Sequence, residues 1–216
     1  MRLIELTKTI ERNNLSNLLK AEHSHSRMYP SIRSEQMSAV NTGILPLISA
    51  VLILLYEKDN QIFICLIKRA EDGLVHGGQI SLPGGKKEKE DVSIIQTALR
   101  EAYEEVGVET EIVNVLGLLS DLYIPPSNFN VTPVLAYCEK KPHYIINKKE
   151  VQYVVECRLS DLLDDNNIKT TIMKYGEKSF SVPYYYVEGE IVWGATAMIL
   201  TELKDIIIEL KKASMI

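Results

Sequence analysis

A glycine turn followed by an acidic amphipathic helix constrains the fold of this chain more than any other feature. Gly84 and Gly85 lead into a charged loop, and residues 92–106 then place apolar side chains at helical spacing. At roughly 100° per residue, these side chains lie within about 60° of Ile95 and predict a buried face. They are Ala98, Leu99, Ala102 and Val106. Gly107 suits the left-handed residue that ends such a helix, so we expect the helix to end there.

Three glutamates occupy the last turns of this predicted helix. Glu101 and Glu105 lie on one flank, about 40° apart, whereas Glu104 lies further out and Arg100 further still. Carboxylates four residues apart repel each other, and the helix dipole adds negative charge at this end. A divalent cation such as Mg²⁺ would reverse both effects, because it binds carboxylate oxygens together with substrate phosphates. A metal site is therefore one interpretation, and a solvated acidic face is the other.

The rest of the chain predicts strands alternating with helices. Residues 1–20 and 196–212 have the helical period, 159–163 resembles a short helix, and 21–43 is polar and turn-rich. Strands are predicted at 47–56, 61–68, 80–82, 111–119, 131–138, 151–157, 178–187 and 190–193, with hairpin turns at 57–60 and Gly189. No linker or internal repeat interrupts this order. We expect one α/β domain over 1–216, with the helix at about 1–20 as an N-terminal extension.

The composition excludes several classes of protein. Of the 216 residues, 46% are hydrophobic and 25% are charged, as in soluble globular proteins. The net charge of −5 argues against nucleic acid as the main partner. We see no secretion signal, and the longest uncharged apolar run, 44–56, is too short to span a membrane and contains a proline. Three isolated cysteines fit buried, reduced thiols, so we expect a soluble, cytoplasmic protein.

A known family has the same pattern as the glycine turn and the glutamate helix. Residues 100–108, Arg-Glu-Ala-Tyr-Glu-Glu-Val-Gly-Val, together with the preceding Gly-Gly, resemble the signature box of the Nudix hydrolases. The resemblance implies a Nudix-type α/β/α sandwich with a mixed β-sheet, and it places the box at about 85–108. Asp91 stands where the box has its first acid, usually Glu, with one residue more than the common spacing before Arg100. The alternative is that Asp91 or Ser93 caps the helix.

The residues upstream of the box narrow the resemblance to one branch. Residues 65–70, Cys-Leu-Ile-Lys-Arg-Ala, and 76–85, His-Gly-Gly-Gln-Ile-Ser-Leu-Pro-Gly-Gly, are similar to an extra motif of the coenzyme A diphosphatases. Trp193 and the four residues after it also resemble this branch, and the similarity spans about 20–205. Leu74 is the chief departure, because the motif has Arg there, and loss of that cation bears on the choice of substrate.

The resemblance implies hydrolysis of the diphosphate in CoA or acyl-CoA, giving 3′,5′-ADP and 4′-phosphopantetheine or its acyl form. Mg²⁺ or Mn²⁺ is the implied cofactor, since a divalent cation neutralises a diphosphate and activates water. Glu101 and Glu105 are the first candidate ligands, and Glu104 and the Gly85 carbonyl are further ones. Arg100 is expected to orient a glutamate rather than to contact substrate.

The catalytic base and the residues that contact substrate are less well determined by the sequence than the metal ligands are. The base that activates water is either a box glutamate or an acid in a later loop, for which Glu150 is the candidate. The alternative for Glu150 is an ordinary surface residue. Arg69, His76, Gly84 and Trp193 are predicted to contact substrate. For His76 the alternative is a polar loop residue, and for Trp193 and the nearby tyrosines it is packing within a strand.

Two other functions remain open at this stage. A Nudix hydrolase acting on ADP-ribose, NADH or another nucleoside diphosphate derivative is favoured by Leu74. A non-catalytic nucleotide-binding regulator belongs to a different class, and the complete set of three box glutamates argues against it, since a binder does not need them. The resemblance is also compatible with a homodimer.

Overall fold

The computed structural model describes residues 2–40, 43–71, 77–175 and 178–213. Within these ranges the α-helices are α1 Leu3–Asn13, α2 Glu22–His25, α3 Arg33–Ser38, α4 Ile94–Val106, α5 Leu159–Leu163 and α6 Gly194–Lys212. The strands are β1 Leu47–Lys58, β2 Gln61–Arg69, β3 Ile80–Ser81, β4 Gly84–Lys86, β5 Asn114–Leu118, β6 Leu122–Ile124, β7 Phe129–Cys138, β8 Val151–Arg158, β9 Ile168–Tyr175, β10 Lys178–Val187 and β11 Glu190–Trp193.

The strands form two sheets. The larger has the order β3-β2-β1-β7-β5, with β4 paired to β1, β6 to β7 and β8 to β2. In this sheet β1 and β7 run parallel, whereas the other pairs are antiparallel, so the sheet is mixed as predicted. The smaller sheet has the order β11-β10-β9 and is antiparallel. The predicted hairpin at Gly189 is confirmed as the turn between β10 and β11.

Two apolar cores lie on opposite faces of the larger sheet, and β1 contributes to both. Ile53 and Leu55 belong to the core formed with α1, α5 and α6, whereas Leu52 and Leu54 belong to the core formed with α4. All four side chains are fully buried. Burial on both faces explains why β1 is apolar at consecutive positions instead of alternating with polar residues. Helices on both faces of a mixed sheet confirm the predicted α/β/α sandwich.

The helix α4 begins and ends where the sequence provides caps. Ser93 is the N-cap, and its Oγ accepts a hydrogen bond from a backbone N–H of the first turn at 3.1 Å. Gly107, with φ of 70°, has the predicted left-handed conformation. The buried face is turned slightly from the predicted one, because Ile95 and Leu99 are only half-buried while Glu105 is buried. One of the three glutamates therefore faces the interior.

The N-terminal region differs from its prediction. The helix predicted at 1–20 ends at Asn13, because Asn14 has a positive φ of 54°. The segment predicted as turns contains α2 and α3 instead. The backbone N–H groups of Lys20 and Ala21 donate to the buried carboxylate of Glu202 in α6, at 2.9 and 2.8 Å. Tertiary contacts of this kind stabilise short helices that are marginal on their own.

Three strands that the sequence does not predict complete the sheets. β4, in the glycine turn, pairs with β1. β6 lies in a region predicted as loop and pairs with the start of β7, and β9 pairs along its length with β10. The strand predicted at 111–119 is shorter, because Thr110–Ile112 forms a 3-10 turn. In the part of the chain that the structure describes, no helix is both long and apolar enough to cross a membrane.

Candidate active site

The turn at Gly84 and Gly85 lies directly against β1 and α4. β4 pairs antiparallel with β1, so that Gly84 is opposite Val51 and Gly85 is opposite Ala50. A Cβ atom at Gly84 would lie 2.3 Å from the Ala50 carbonyl oxygen, and one at Gly85 would lie 2.6 Å from both carboxylate oxygens of Glu101. Only glycine at residue 84 therefore allows the turn to approach the strand this closely, whereas a side chain at residue 85 would displace the Glu101 carboxylate.

Glu105 is the most buried of the three helix glutamates, at 2% exposure. Its Oε2 accepts a hydrogen bond from Gly84 N at 2.9 Å, and its Oε1 lies 3.6 Å from Arg69 Nη1. Burial raises the pKa of Glu105 to about 7, although the Gly84 bond and Arg69 act in the opposite direction. The charges of Glu101 and Glu150 add to the increase in the pKa of Glu105.

Arg100 contacts the other two helix glutamates. Its Nη1 lies 3.0 Å from Glu101 Oε1 and 2.9 Å from Glu104 Oε2. Burial raises the pKa of Glu101, even though Arg100 lowers it. Glu104 is exposed, which agrees with its outer position on the helical wheel. The role of Arg100 in orienting the glutamates stays a prediction, and these contacts are the geometry that such a role needs.

Asp91 anchors Arg100 from the other side. It is 3% exposed, and its carboxylate oxygens accept hydrogen bonds from Arg100 Nε at 3.0 Å and Nη2 at 3.1 Å. Glu88 N and Thr97 Oγ1 also donate to Asp91 Oδ2, at 2.9 and 3.0 Å. The guanidinium holds the pKa of Asp91 well below its usual value. Ser93 is the N-cap of α4, so of the two alternatives Asp91 is not the cap.

Thr97 and Asn147 contact the acidic residues or their backbone, and neither of them is predicted from the sequence. Thr97 is a polar residue on the apolar face of α4, and that position is the signal by which it could have been found. Asn147 lies in the loop between β7 and β8, and its backbone N–H donates to the Glu105 carbonyl at 3.0 Å. Asparagine is a common turn former, so an Asn shortly before Glu150 is the corresponding signal.

The Asn147 turn carries Glu150 toward the helix glutamates. Asn147 Nδ2 donates to Glu150 Oε1 at 3.1 Å, and Ala70 N donates to the Glu150 backbone carbonyl at 2.7 Å. The Glu150 side chain is exposed, yet its charge contributes to the raised pKa of both Glu101 and Glu105. Glu150 is therefore a solvent-accessible carboxylate at the edge of the cluster.

The two basic residues at the end of β2, Lys68 and Arg69, differ in whether a substrate phosphate could reach them. Lys68 Nζ is paired with Glu190 Oε2 at 2.9 Å. The Arg69 side chain is 35% exposed and faces Glu105 across 3.6 Å. Of the two, Arg69 is the cation that a substrate phosphate could reach. His76, and Leu74 where the motif has Arg, lie outside the described residues.

The aromatic residues near the C-terminal helix lie on the smaller sheet. Trp193 is half-buried at the end of β11, which packs beside β3, the strand that leads to the glycine turn. Tyr185 is fully buried, and its hydroxyl forms a hydrogen bond with Thr201 Oγ1 at 2.8 Å. Tyr185 therefore packs in the core, whereas a substrate contact by Trp193 stays a prediction.

The oxygen donors at this place suit a hard cation. Glu101, Glu104 and Glu105 supply carboxylates, Gly85 offers a backbone carbonyl, and Mg²⁺ binds such oxygens. The Glu101 carboxylate lies in the space that a Cβ of residue 85 would fill. The glutamates are turned toward different partners, and within the described ranges no three acidic, His or Cys side chains are already spaced as metal ligands. A cation would therefore compete with Arg69 and Arg100 for these carboxylates.

Known proteins are similar to this chain over much of its length. The family model described as NUDIX domain matches residues 46–173. A protein of Enterobacter sp. (strain 638) named Uncharacterized Nudix hydrolase NudL is 35% identical over 159 residues, which cover 72% of this chain and 80% of that protein. The protein of the same name from Pectobacterium atrosepticum is 36% identical over 138 residues, which cover 64% of this chain and 71% of that protein.

A solved structure has a similar fold at low sequence identity. A MutT/nudix family protein from Enterococcus faecalis aligns with a TM-score of 0.51 and 16% identity, covering 93% of this chain and 74% of that one. The likeness at this identity concerns the fold alone. Residues 46–173 include the glycine turn, α4, the end of β2 and the Asn147 turn, which together carry the carboxylate cluster.

Proposed function

Since this chain belongs to the NUDIX family of hydrolases, we propose that it is a divalent-cation-dependent diphosphatase that cleaves CoA or acyl-CoA. The expected products are 3′,5′-ADP and 4′-phosphopantetheine or its acyl form. The observation that carries the proposal is the packing of the helix glutamates against the glycine turn, with Arg69 beside them. The similarity of residues 65–85 to the CoA diphosphatase motif supports this choice of substrate.

The proposed cation ligands are Glu101, Glu105, Glu104 and the Gly85 carbonyl. When bound, Mg²⁺ or Mn²⁺ neutralises charge on the diphosphate and favours attack by water. The buried position of Glu105 supports its choice as a ligand, because a buried carboxylate without a full counter-charge is costly. A side chain at residue 85 would displace the Glu101 carboxylate from its present position.

Two arginines prepare the site for an anionic substrate. Asp91 holds Arg100, and Arg100 in turn holds Glu101 and Glu104, so we assign Arg100 a positioning role. Arg69 pairs with Glu105 and is accessible to solvent. If Glu105 held a cation, Arg69 would be released from this pair, and we infer that it would then contact a substrate phosphate. His76, Gly84 and Trp193 are the further substrate contacts that we propose.

Glu150 is our candidate for the base that takes a proton from the attacking water. A base has to lie within hydrogen-bonding reach of the water it activates, directly or through one more water. In support, the Asn147 turn that carries Glu150 is bonded to the backbone of Glu105, and the Glu150 side chain is open to solvent. A helix glutamate is the alternative base.

A second candidate function rests on Leu74. The CoA motif has Arg at this position, and without that cation the site loses one possible partner for a phosphate. A NUDIX hydrolase of ADP-ribose, NADH or a related nucleoside diphosphate derivative fits this difference. A non-catalytic regulator fits less well, because it does not account for the clustered glutamates.

A substrate panel separates these candidates. The protein is incubated with Mg²⁺ or Mn²⁺ and with CoA, acyl-CoA, NADH, ADP-ribose or dinucleoside polyphosphates, and the products are identified by mass spectrometry. We expect cleavage of CoA or acyl-CoA in preference to the others. Cleavage of ADP-ribose with CoA untouched would reject the CoA assignment, and no turnover of any compound would favour the regulator.

We also propose that the protein works in the cytoplasm. Cys65, Cys138 and Cys157 are free and buried, which suits a reducing compartment. We also propose a homodimer. Light scattering of the purified protein tests this by giving its molar mass in solution.

A further inference from the structure

A group of polar side chains lies on the larger sheet beside the candidate active site. Asp121, just before β6, accepts hydrogen bonds at its two carboxylate oxygens from Thr132 Oγ1 at 2.6 Å and from Asn130 Nδ2 at 3.2 Å. Tyr123 is opposite Asn130 in the ladder between β6 and β7. We call these four residues, Asp121, Tyr123, Asn130 and Thr132, the polar platform.

The polar platform lies on the same face of the sheet as the helix glutamates. Thr132 in β7 is paired with Ala50 in β1, and Ala50 is opposite Gly85 in β4. Side chains of paired residues point to the same face of a sheet. Ala50 packs in the core with α4, and a Cβ at Gly85 would meet the Glu101 carboxylate, so this face is the one that α4 covers. With strands about 4.8 Å apart, Thr132 lies roughly 10 Å across the sheet from Gly85.

Most of the polar platform is open to solvent. Asp121 is exposed, and Asn130 and Tyr123 are half-buried, whereas Thr132 is buried at the base of the platform. Ile48 is paired with Asn130 on the same face and is 46% exposed. A molecule bound at the helix glutamates therefore has an open surface within reach on β7.

The hydrogen bonds of the platform decide which kind of group it can bind. A carboxylate accepts hydrogen bonds, so Asn130 donates with its amide nitrogen, and its Oδ1 is a further acceptor. The Asp121 carboxylate has about four acceptor positions, and in the described part of the chain Asn130 and Thr132 occupy two of them. The negative charge disfavours a phosphate here, whereas an amino group with two N–H donors suits the two neighbouring acceptors.

We propose that the polar platform binds the adenine of the substrate, with Asp121 and Asn130 accepting hydrogen bonds from its N6 amino group. The proposal rests on the proposed function, and it identifies a residue that determines specificity. Ile48 and Tyr123 lie on either side of Asn130 in neighbouring strands and offer apolar surface to the flat base. The ribose separates the base of a nucleotide from its phosphates, as β1 separates the platform from Gly85.

The test compares kcat/KM for CoA with kcat/KM for its hypoxanthine analogue, in which a carbonyl replaces the N6 amino group. We expect the unaltered protein to prefer CoA about ten-fold or more, because that carbonyl oxygen would face the Asp121 carboxylate. In Asp121→Asn the new amide can donate to the carbonyl, so the preference should fall close to one. The matched control is Asp164→Asn, which should keep the original preference. Asp164 is exposed after α5 and also accepts from an asparagine side chain, at 2.9 Å.

Each failure has its own result. Equal kcat/KM for the two bases in the unaltered protein would overturn the adenine assignment and leave the proposed function standing. A preference that persists in Asp121→Asn, with both substrates slowed alike, would also overturn it and would place another part of the substrate at Asp121.

The same pair of bases is compared in ADP-ribose and its hypoxanthine form, so that the platform is tested apart from the proposed function. Cleavage of ADP-ribose with CoA untouched would remove the CoA assignment. The platform would then be supported by a preference for ADP-ribose that Asp121→Asn abolishes, and overturned by equal cleavage of the two forms. If neither is cleaved, calorimetric titration compares their affinities, and equal affinities would overturn the platform.

Discussion

Each arginine in the cluster holds particular carboxylates, and this division organises the site at the scale of residues. Arg69 faces Glu105, while Arg100 bridges Glu101, Glu104 and the buried Asp91. The Asp91 pair holds the pKa of Arg100 above its usual value, so the guanidinium stays charged. We propose that Asp91 acts by fixing the arginine that positions two glutamates, and not at the reacting atoms.

Removal of the Asp91 charge tests this positioning role. In Asp91→Asn, Arg100 loses its paired oxygens, so we expect kcat to fall about ten-fold or more with a smaller change in KM. The free energy of unfolding should fall by about 1–3 kcal/mol, because buried donors lose their acceptor. Arg100→Lys should have a similar effect on kcat, and the double variant should be little worse than either single one. Additive losses would mean that the two residues act separately.

The matched control for this experiment is a surface pair of the same type. Arg158 Nη1 lies 3.5 Å from Asp161 Oδ2, and the two side chains are 46% and 33% exposed. Asp161→Asn should change the free energy of unfolding by less than about 1 kcal/mol and leave kcat unchanged. A loss in Asp161→Asn as large as that in Asp91→Asn would show that burial of the Asp91 pair is not what matters.

At the scale of elements, the end of α4 positions the loop that carries Glu150. Gly107 ends the helix with φ of 70°, and a Cβ there would lie 2.7 Å from the Cβ of Ile145. Ile145 N donates to the Val106 carbonyl at 2.8 Å, which attaches the loop to the helix end. The glycine therefore serves both the helix terminus and the close approach of the loop.

Two glycine-to-alanine variants separate these two effects. Gly107→Ala and Gly189→Ala both place a side chain at positive φ, but nothing lies within 4 Å of a Cβ at Gly189. Both should lose about 1 kcal/mol of unfolding free energy from the backbone conformation. Gly107→Ala should lose at least about 1 kcal/mol more, because it also displaces Ile145. Chemical denaturation measures the difference, and equal losses would contradict the close packing at Ile145.

The elements that sequence reasoning predicts best are those with strong local signals. The box helix has a cap, a periodic face and a terminal glycine, and the structure places α4 within two residues of the predicted start at 92. The strand β9 was not predicted, because its order depends on pairing with β10 and not on its own apolar pattern. The helices α2 and α3 were not predicted either, because they also depend on packing against distant segments. α2 packs on α6, and α3 packs on the 3-10 turn Pro125–Ser127.

In the site, too, the residues that could be predicted are those with a local signal in the sequence. The helical wheel and the motif identify Glu101, Glu104 and Glu105, because their spacing is local in sequence. Neither reveals that Arg69 pairs with Glu105, or that Asn147 binds the helix end, because both contacts join segments far apart in the chain. The burial of Glu105 is likewise a property of the packed structure, and the wheel placed it only on the flank of the helix.

At the scale of the whole molecule, Glu202 of α6 joins three distant segments. It is fully buried and accepts hydrogen bonds from Lys20 N, Ala21 N and Ser120 Oγ at 2.9, 2.8 and 2.6 Å. His25 Nε2 lies 3.3 Å from its Oε2. Burial opposes ionisation, but these partners lower the pKa of Glu202 to about 2. A charged Glu202 therefore ties the N-terminal segment to the rest of the fold.

The depressed pKa of Glu202 predicts a loss of stability in acid. The ordinary glutamate pKa is 4.5, so the contribution of Glu202 is complete above that pH and disappears as the pH falls toward 2. Its size is roughly 3 kcal/mol of unfolding free energy. The difference in stability between the unaltered protein and Glu202→Gln should shrink over this interval when measured by urea denaturation. A pH-independent difference would show that Glu202 acts without its charge. The control is Glu11→Gln, because Glu11 is exposed and its replacement should not produce this pH dependence.

We propose that the glutamates packed on the glycine turn form the cation site of a CoA diphosphatase. To test this, CoA is followed by mass spectrometry with metal-stripped protein, with protein reloaded with Mg²⁺, and with Mg²⁺-loaded Glu105→Gln. We expect 3′,5′-ADP and 4′-phosphopantetheine only after reloading, with kcat in the folded variant lower by on the order of 100-fold or more. Full turnover by the stripped protein or by Glu105→Gln, or intact CoA after reloading, would rule out this cation site.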